Sequence, residues 1–460
     1  MNPGRMKSIF IVALLLGTII IHAQETDQNT IAAIYQNALT SYDSYNNLKE
    51  LCTKAPGRLM GSKESELAIR ILKTRVEKLH PDNCYLQNYI SPSWRVKSPC
   101  EATVLYGTKK ESLNVVNLGL SVSTSTNGIT AEILEVQTLN TLDSLVVGCV
   151  KDKIVFFNRA MDNSKTTTFE QYGGAIDQRA SGASKAAQYG AVGAIVRSLS
   201  TEHYDFPHTG VSRYKDGVTK IPNISISTND ADKLSRLNKE NQNVKVWIKS
   251  DTEMIDSAHT ANLIAEIKGN KHPEKIIVIG AHMDAWFNTP GAHDDGAGCE
   301  QMIDVFRIFK ELKIKPENTI RLVLYMDEEM YQSGSKVYAE SVGKEKKEHI
   351  VAIESDAGGL LPLGFGIEAS DSVINVIKKL AEPLVDYGIY KTGKGHGGTD
   401  ISPLKQFNIP LIGLVTNSQR YFEYHHSAND TVENVSRREM QLGSAAIASL
   451  VYLIDKNGIK

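Results

Sequence analysis

The sequence predicts an α/β fold, a mixed and largely parallel sheet covered by helices, with a β-rich block inserted into it. Three observations predict it. From Asn262 onward short apolar runs alternate with helix-periodic segments, the pattern of strands and crossover helices. Between about residues 105 and 250 the texture changes to short β-like runs. At 460 residues the chain also exceeds what one hydrophobic core usually holds, so two domains are expected.

In chain order, the first element is a targeting signal. Arg5 and Lys7 form a positive region, Ile9 to Ile21 a mostly apolar one, and His22-Ala23-Gln24 the cleavage region. Residues 1–23 are therefore expected to be a signal peptide, and the protein to be exported to the periplasm or beyond the cell. No later run reaches the roughly 20 apolar residues that a membrane span requires. Next comes the turn-rich stretch Gly57 to Ser62, then a helical pattern around Ala68 to Leu72. In the middle block, Lys153 to Phe157 and Ala194 to Val196 read as strands around a helix at Gly182 to Tyr189. In the last half the expected strands are Leu263–Ile267, Ile276–Ile279, Ile320–Tyr325, Ile350–Ile353 and Leu411–Val415. Residues 297–312 form a helix with Met302, Phe306, Phe309 and Leu312 on one face, and Ser436 to Glu439 is a capping box that opens the final helix.

Composition narrows the function classes. With 41% hydrophobic residues, 23% charged residues and a net charge of −2, nothing favours nucleic acid or an anionic membrane as partner. The five cysteines (Cys52, Cys84, Cys100, Cys149, Cys299) match no zinc ribbon or CxxC motif. Export permits disulfides, so a bridge within Cys52, Cys84 and Cys100 stands open beside buried free thiols.

Four polar clusters each fall beside an expected strand end, where open α/β sheets build their sites. The first is His282 with Asp284, spaced so that the His can ligate a metal while the Asp orients its ring. The second is Asp294-Asp295 in a Gly-rich turn, where one carboxylate can bridge two metals and the other cap the next helix. The third is Asp327-Glu328-Glu329, in which one Glu can bind metal and its neighbour act as general base. The fourth is split between Glu354-Ser355-Asp356 and Tyr424-His425-His426-Ser427. Imidazole and carboxylate together suit a hydrolytic zinc site, with cobalt or manganese as alternatives. The loop Gly395 to Asp400 adds His396, which can donate to a developing oxyanion or be incidental to a flexible loop.

The order His, Asp, Glu-Glu, Asp, His resembles the co-catalytic dizinc exopeptidases. The likeness rests on Gly280-Ala281-His282-x-Asp284, Pro290-Gly291-Ala292-x-Asp294-Asp295-Gly296, Glu328-Glu329-x4-Gly334-Ser335 and His426-Ser427-x2-Asp430-Thr431. Within that superfamily, Val196-Arg197-Ser198 with Pro207-His208-Thr209-Gly210 is similar to the branch of secreted carboxypeptidases that carries an inserted protease-associated domain. The resemblance implies a catalytic domain of residues 24–105 and 250–460 with the insertion at 106–249. It implies one zinc held by His282, Asp294 and Asp356, and a second by Asp294, Glu329 and His426. Glu328 is then the general base and Asp284 the orienter of His282; the His-Ser-x-x-Asp-Thr spacing selects His426 over His425, and Glu354 competes weakly with Asp356. Tyr331 stands where many relatives have Gly, a departure that reshapes the pocket without removing a ligand. The implied activity is hydrolysis of dipeptides or short peptides, with a homodimer left open. The rival readings are an inactive binding protein on the same fold and a dizinc enzyme of the glutaminyl cyclase type. A full ligand set with its base argues against decay.

Overall fold

The computed structural model describes residues 27–146 and 148–459, so the expected signal peptide lies outside the described residues. The strands in chain order are β1 (Asn83–Tyr106), β2 (Lys109–Leu113), β3 (Val115–Asn117), β4 (Ile129–Val136), β5 (Ile154–Phe157), β6 (Gly193–Arg197) and β7 (Asn223–Ile226). They continue with β8 (Lys245–Ile267), β9 (His272–His282), β10 (Asn318–Tyr325), β11 (Glu348–Glu354), β12 (Pro362–Glu368), β13 (Gly393–Lys394) and β14 (Leu411–Thr416). Hydrogen bonding runs β13-β12-β14-β11-β9-β10-β8-β4-β5-β6-β7-β3, with β1 on β8 and β2 on β1.

The half that carries the polar clusters is a mixed sheet. β9 pairs in parallel with β10 and β11, and β11 with β14, while β8 and β12 run antiparallel at its flanks. Helices cover both faces, which is why the central strands read as unbroken apolar runs rather than as alternating ones. The alternation is still there at the level of cores. Ile277 and Ile279 enter the large core with Met302, Phe306 and Phe309 of the helix Ala297–Glu311. Ile276 and Val278 enter a smaller one with Tyr338 and Val342 of the helix Ser333–Val342. The helix Lys63–Lys78 is capped by Ser62, whose side chain accepts from the Ser65 amide at 3.0 Å, and it buries Ala68, Leu72 and Val76 against the large core. Ser436 caps the last helix, Arg437–Asn457, by accepting from the Glu439 amide at 3.3 Å.

The middle block gathers apolar clusters of its own. One holds Ile133, Phe156, Ile195, Ile224 and Ile248, joined by Ala102 and Val104 of β1, and the opposite face of the same strands packs Val136, Val155, Phe157 and Val196 on Ala183 and Ala186. The helix expected at Gly182 to Tyr189 spans Ile176–Gln188, starting six residues earlier, and the block also holds helices Leu139–Ser144, Thr168–Gly173 and Thr228–Glu240 that were not expected.

The longest strand pair was not legible in the sequence. β1 and β8 form a long antiparallel ribbon whose other edge carries β10 at one end and β4 at the other. The expected boundary at residues 249–250 therefore falls inside β8. Pro92 and Pro99 sit at register shifts of the ribbon, between Ser91 and Ser93 and between Ser98 and Glu101, where a missing N–H does least harm. The five cysteines are unbridged. Among the described residues no helix is long and apolar enough to cross a membrane.

Candidate metal centre

Three of the expected clusters begin at the carboxyl ends of strands, while Asp294-Asp295 and His425-His426 lie on longer connections after β9 and β14. β9 ends on His282, β10 leads into Asp327 to Glu329, and β11 ends at Glu354, two residues before Asp356. Adjacent parallel strands thus bring groups far apart in sequence to one edge.

His282 Nε2 lies 3.2 Å from Asp294 Oδ1 and 3.3 Å from Asp356 Oδ1. On the other side His426 Nε2 lies 3.2 Å from Asp294 Oδ2 and 3.1 Å from Glu329 Oε2. Asp294 therefore presents one oxygen to each imidazole. Ligand atoms of His282, Asp294 and Asp356 lie within 4.8 Å of one another, as do those of Asp294, His425 and His426. Of the two neighbouring histidines, His426 is the nearer, since His425 Nε2 is 3.9 Å from Asp294. His425 stacks on His426 with ring centroids 3.5 Å apart and packs edge-on to Tyr172 and Phe422. Burial holds its imidazole well below the ordinary value.

The donor set fits a borderline dication, since imidazole nitrogen and carboxylate oxygen are its usual ligands. Buried His282 Nε2 and Glu329 Oε1 have no hydrogen-bond partner, which leaves both for a ligand that the protein itself does not supply. Against the cost of burial, the carboxylates hold His426 up to about 10. A metal taking that nitrogen must displace its proton.

Supporting groups set this geometry. His282 Nδ1 is 3.1 Å from the backbone oxygen of Asp284 and 3.6 Å from its carboxylate. That carboxylate is mainly engaged elsewhere: Oδ1 accepts from the Asp327 and Glu328 amides at 2.9 and 3.2 Å, and Oδ2 from Glu329 at 3.3 Å. Asp284 thus ties the loops after β9 and β10 together. Asp295 accepts from the amides of Gly298 (3.1 Å) and His282 (3.2 Å), the cap expected of the second carboxylate. Gly298 is required there, because a Cβ would stand 2.3 Å from Asp295 Oδ1 and 2.2 Å from the Ser355 oxygen. Glu354 accepts from the Thr399 and Ile401 amides at 2.7 and 2.9 Å, so it anchors the Gly395–Asp400 loop. Asp327 accepts from the Tyr331 amide at 3.3 Å and turns inward, with Tyr331 half-buried.

Glu328, Glu329, Asp294, Asp356 and His426 line one cavity of about 280 Å³. Burial first, and then the carboxylates of Asp356, Glu329 and Asp294, push the Glu328 carboxyl well above its usual range. His396 is exposed on the wall of a larger cavity, about 870 Å³, which shares Asp356 and Thr399 with the first.

Sequence reasoning missed two organising residues. Asp430 was visible as part of a motif, but its work was not: it accepts from the His293 and Asp294 amides at 2.7 and 3.1 Å. Arg58, fully buried, donates to the carbonyls of Met283 (2.6 Å), Pro290 (2.5 Å) and Gly291 (2.7 Å). It clamps the loops that carry His282 and Asp294, and only its place in a turn-rich stretch hinted at it. Arg58→Met is expected to strand three carbonyls, two of them buried, and cost about 3 kcal/mol. Urea unfolding paired with metal analysis checks this; wild-type stability and metal content would remove Arg58 from the scaffold.

The chain is similar to known proteins over most of its length. The sequence model of Peptidase family M28 matches residues 262–451. Carboxypeptidase Q of Bos taurus is 30% identical over 411 residues, covering 89% of this chain and 85% of the relative. The Homo sapiens carboxypeptidase Q is 30% identical over 414 residues, with 89% and 85% covered. A peptidase M28 precursor from Shewanella amazonensis SB2B superposes with a TM-score of 0.88 at 31% identity, covering 94% of this chain and 97% of that one. An aminopeptidase from Aneurinibacillus sp. strain AM-1 shares the fold at a TM-score of 0.64 and 20% identity, over 92% and 95% of the chains. Fold, polar cluster and likeness together define a metallopeptidase. The chain belongs to peptidase family M28.

Proposed function

We propose that the protein is an exported zinc exopeptidase that hydrolyses dipeptides or short peptides. The observation that carries this is the Asp294 carboxylate, set between the two imidazoles, with Glu328 lining the same small cavity. His282, Asp294 and Asp356 would hold one ion, and Asp294, Glu329 and His426 the other. Zinc in such a site lowers the pKa of water and polarises a carbonyl.

The chain's own groups do the rest. Glu328 takes the proton of the attacking water and returns it to the leaving amine. Its raised affinity for protons supports the second half of that task, and the Asp284 carboxylate holds its backbone in place. His282 is oriented through Nδ1 by Asp284. We read residues 106–249 as an inserted protease-associated domain that walls the cleft, supported by its own apolar clusters and by the Thr209 amide donating to the His426 oxygen at 2.9 Å. For His396 as an oxyanion donor, the support is its place on the adjoining cavity. Export rests on the pattern from Arg5 to Ile21.

Incubation of the zinc-loaded protein with dipeptides, longer peptides and end-blocked analogues tests the reading. Hydrolysis of short peptides is expected, abolished by a chelator and restored by zinc. Intact peptides with metal bound would overturn it.

A further inference from the structure

The two imidazoles of the candidate metal centre are not held alike. His282 Nδ1 faces the backbone oxygen of Asp284 at 3.1 Å, two residues along the same loop. His426 finds its counterpart 217 positions away, in the middle block. Its Nδ1 faces the Thr209 carbonyl at 3.3 Å, and the Thr209 amide donates to the His426 carbonyl at 2.9 Å. One residue thus grips both the ring and the backbone of His426. That backbone stands at φ 62°, in the left-handed region that a residue with a Cβ enters only at a cost, and the Thr209 amide helps to hold it there.

The other neighbour of Nδ1 is a cation. Arg179 Nη1 lies 3.5 Å away and donates to the same Thr209 carbonyl at 3.3 Å. A neutral imidazole that gives its Nε2 lone pair to a metal carries its proton on Nδ1, where it can donate to a carbonyl but cannot accept from a guanidinium. The carbonyl oxygen has two lone pairs and takes both donors. Thr209 is therefore the acceptor that fixes the tautomer and aims Nε2 at Asp294 and Glu329. The loop around it is braced from within the middle block. Thr209 Oγ1 donates to the Asn117 carbonyl at 2.6 Å, the His208 amide to Ser198 Oγ at 2.9 Å, and the Gly119 amide to the Gly210 oxygen at 2.9 Å. Arg179, on the helix Ile176–Gln188 and only 5% exposed, closes over Gly210. At its φ of 136° a Cβ on Gly210 would stand 2.4 Å from the guanidinium carbon.

We propose that Thr209 is the positioning residue for His426, so that the middle block controls binding of the ion shared by Glu329 and His426 and leaves the other ion to the half that carries the polar clusters. The inference rests on the ligand assignment proposed above and adds to it what the middle block does for the metal centre. Docking of the 207–210 loop completes the second position. Displacing that loop removes the acceptor of Nδ1 and frees the ring to turn, while His282 keeps its own partner on the loop after β9.

Calorimetric titration of the metal-free protein with zinc tests this. The wild type is expected to take up two ions in separable steps, and His426→Ala identifies the second step by weakening it. Gly210→Ala, which pushes the loop off Arg179, should weaken that same step by roughly 10- to 100-fold, the usual effect of losing the outer partner of a ligand. The other step should stay as in the wild type, which a general loss of folding would not allow. Thr209→Val has nearly the same shape and removes only the hydroxyl bond to Asn117, so it should shift the same step less; it decides the matter if Gly210→Ala does not fold. In proton NMR of the zinc-loaded wild type, the His426 Nδ1–H should give a slowly exchanging signal, assigned by its absence from His426→Ala and lost in Gly210→Ala. Equal weakening of both steps, or an unchanged second step in whichever variants fold, would overturn the positioning role and leave the two-ion centre standing. A wild type that takes up fewer than two ions, or a His426→Ala variant with both steps unchanged, refutes the ligand assignment itself.

Discussion

Glu328→Gln is expected to retain both metal ions and lose about 100- to 10,000-fold in kcat. Glu328 faces the cavity, whereas its neighbour Glu329 is the one that approaches His426, at 3.1 Å. Burial and the surrounding carboxylates raise its proton affinity, and an amide of the same shape removes only the capacity to take up and return a proton. The Asp284 bond to the residue 328 amide does not depend on the side chain, so the loop should stand. Elemental metal analysis beside single-turnover kinetics decides the matter. Two bound ions with near-normal turnover would transfer the proton to another group.

Asp294→Ala is expected to abolish binding of both ions and with it all activity. Its two oxygens reach His282 and His426 at 3.2 Å each, so on the proposed reading both ions lose a ligand at once. The fall in affinity should exceed the roughly 10- to 100-fold typical when only an outer partner of a ligand is removed. His426→Ala, by contrast, should weaken chiefly the ion shared with Glu329. Metal titration of the two variants separates these outcomes, and equal, mild loss from both would reduce Asp294 to a structural residue. The backbone at Asp294 is independently held by Asp430, so the effect should not come from a collapsed loop.

Much of the candidate site was legible because several of its polar residues follow directly on strand ends. Ile276 to Ile279, Ile320 to Tyr325 and Ile350 to Ile353 are short apolar runs, and the polar clusters begin where the runs stop. Choosing His426 over His425 needed motif spacing as well as composition, since the two side chains are chemically identical. The ribbon of β1 and β8 was not legible, because its strands are half exposed and prolines interrupt the first. A strand of that kind lacks the apolar signature of a buried one.

By itself, then, the sequence determined the class of fold, the chemistry of the cluster and the local signals that place each member. Periodicity, capping residues and ligand types are properties of neighbouring residues, and they survive without any knowledge of the third dimension. Only the tertiary structure showed which carboxylates face the imidazoles and which accept backbone amides. Asp284, Asp295, Glu354 and Asp430 have the same functional group as Asp294 and Asp356, yet their oxygens accept backbone amides. It also decided that Arg58 clamps the loops of His282 and Asp294 and that Arg179 lines the cavity with its buried Nε unbonded. Those roles depend on contacts between residues as many as 233 positions apart, as in Arg58 with Gly291, and no local pattern encodes such a distance.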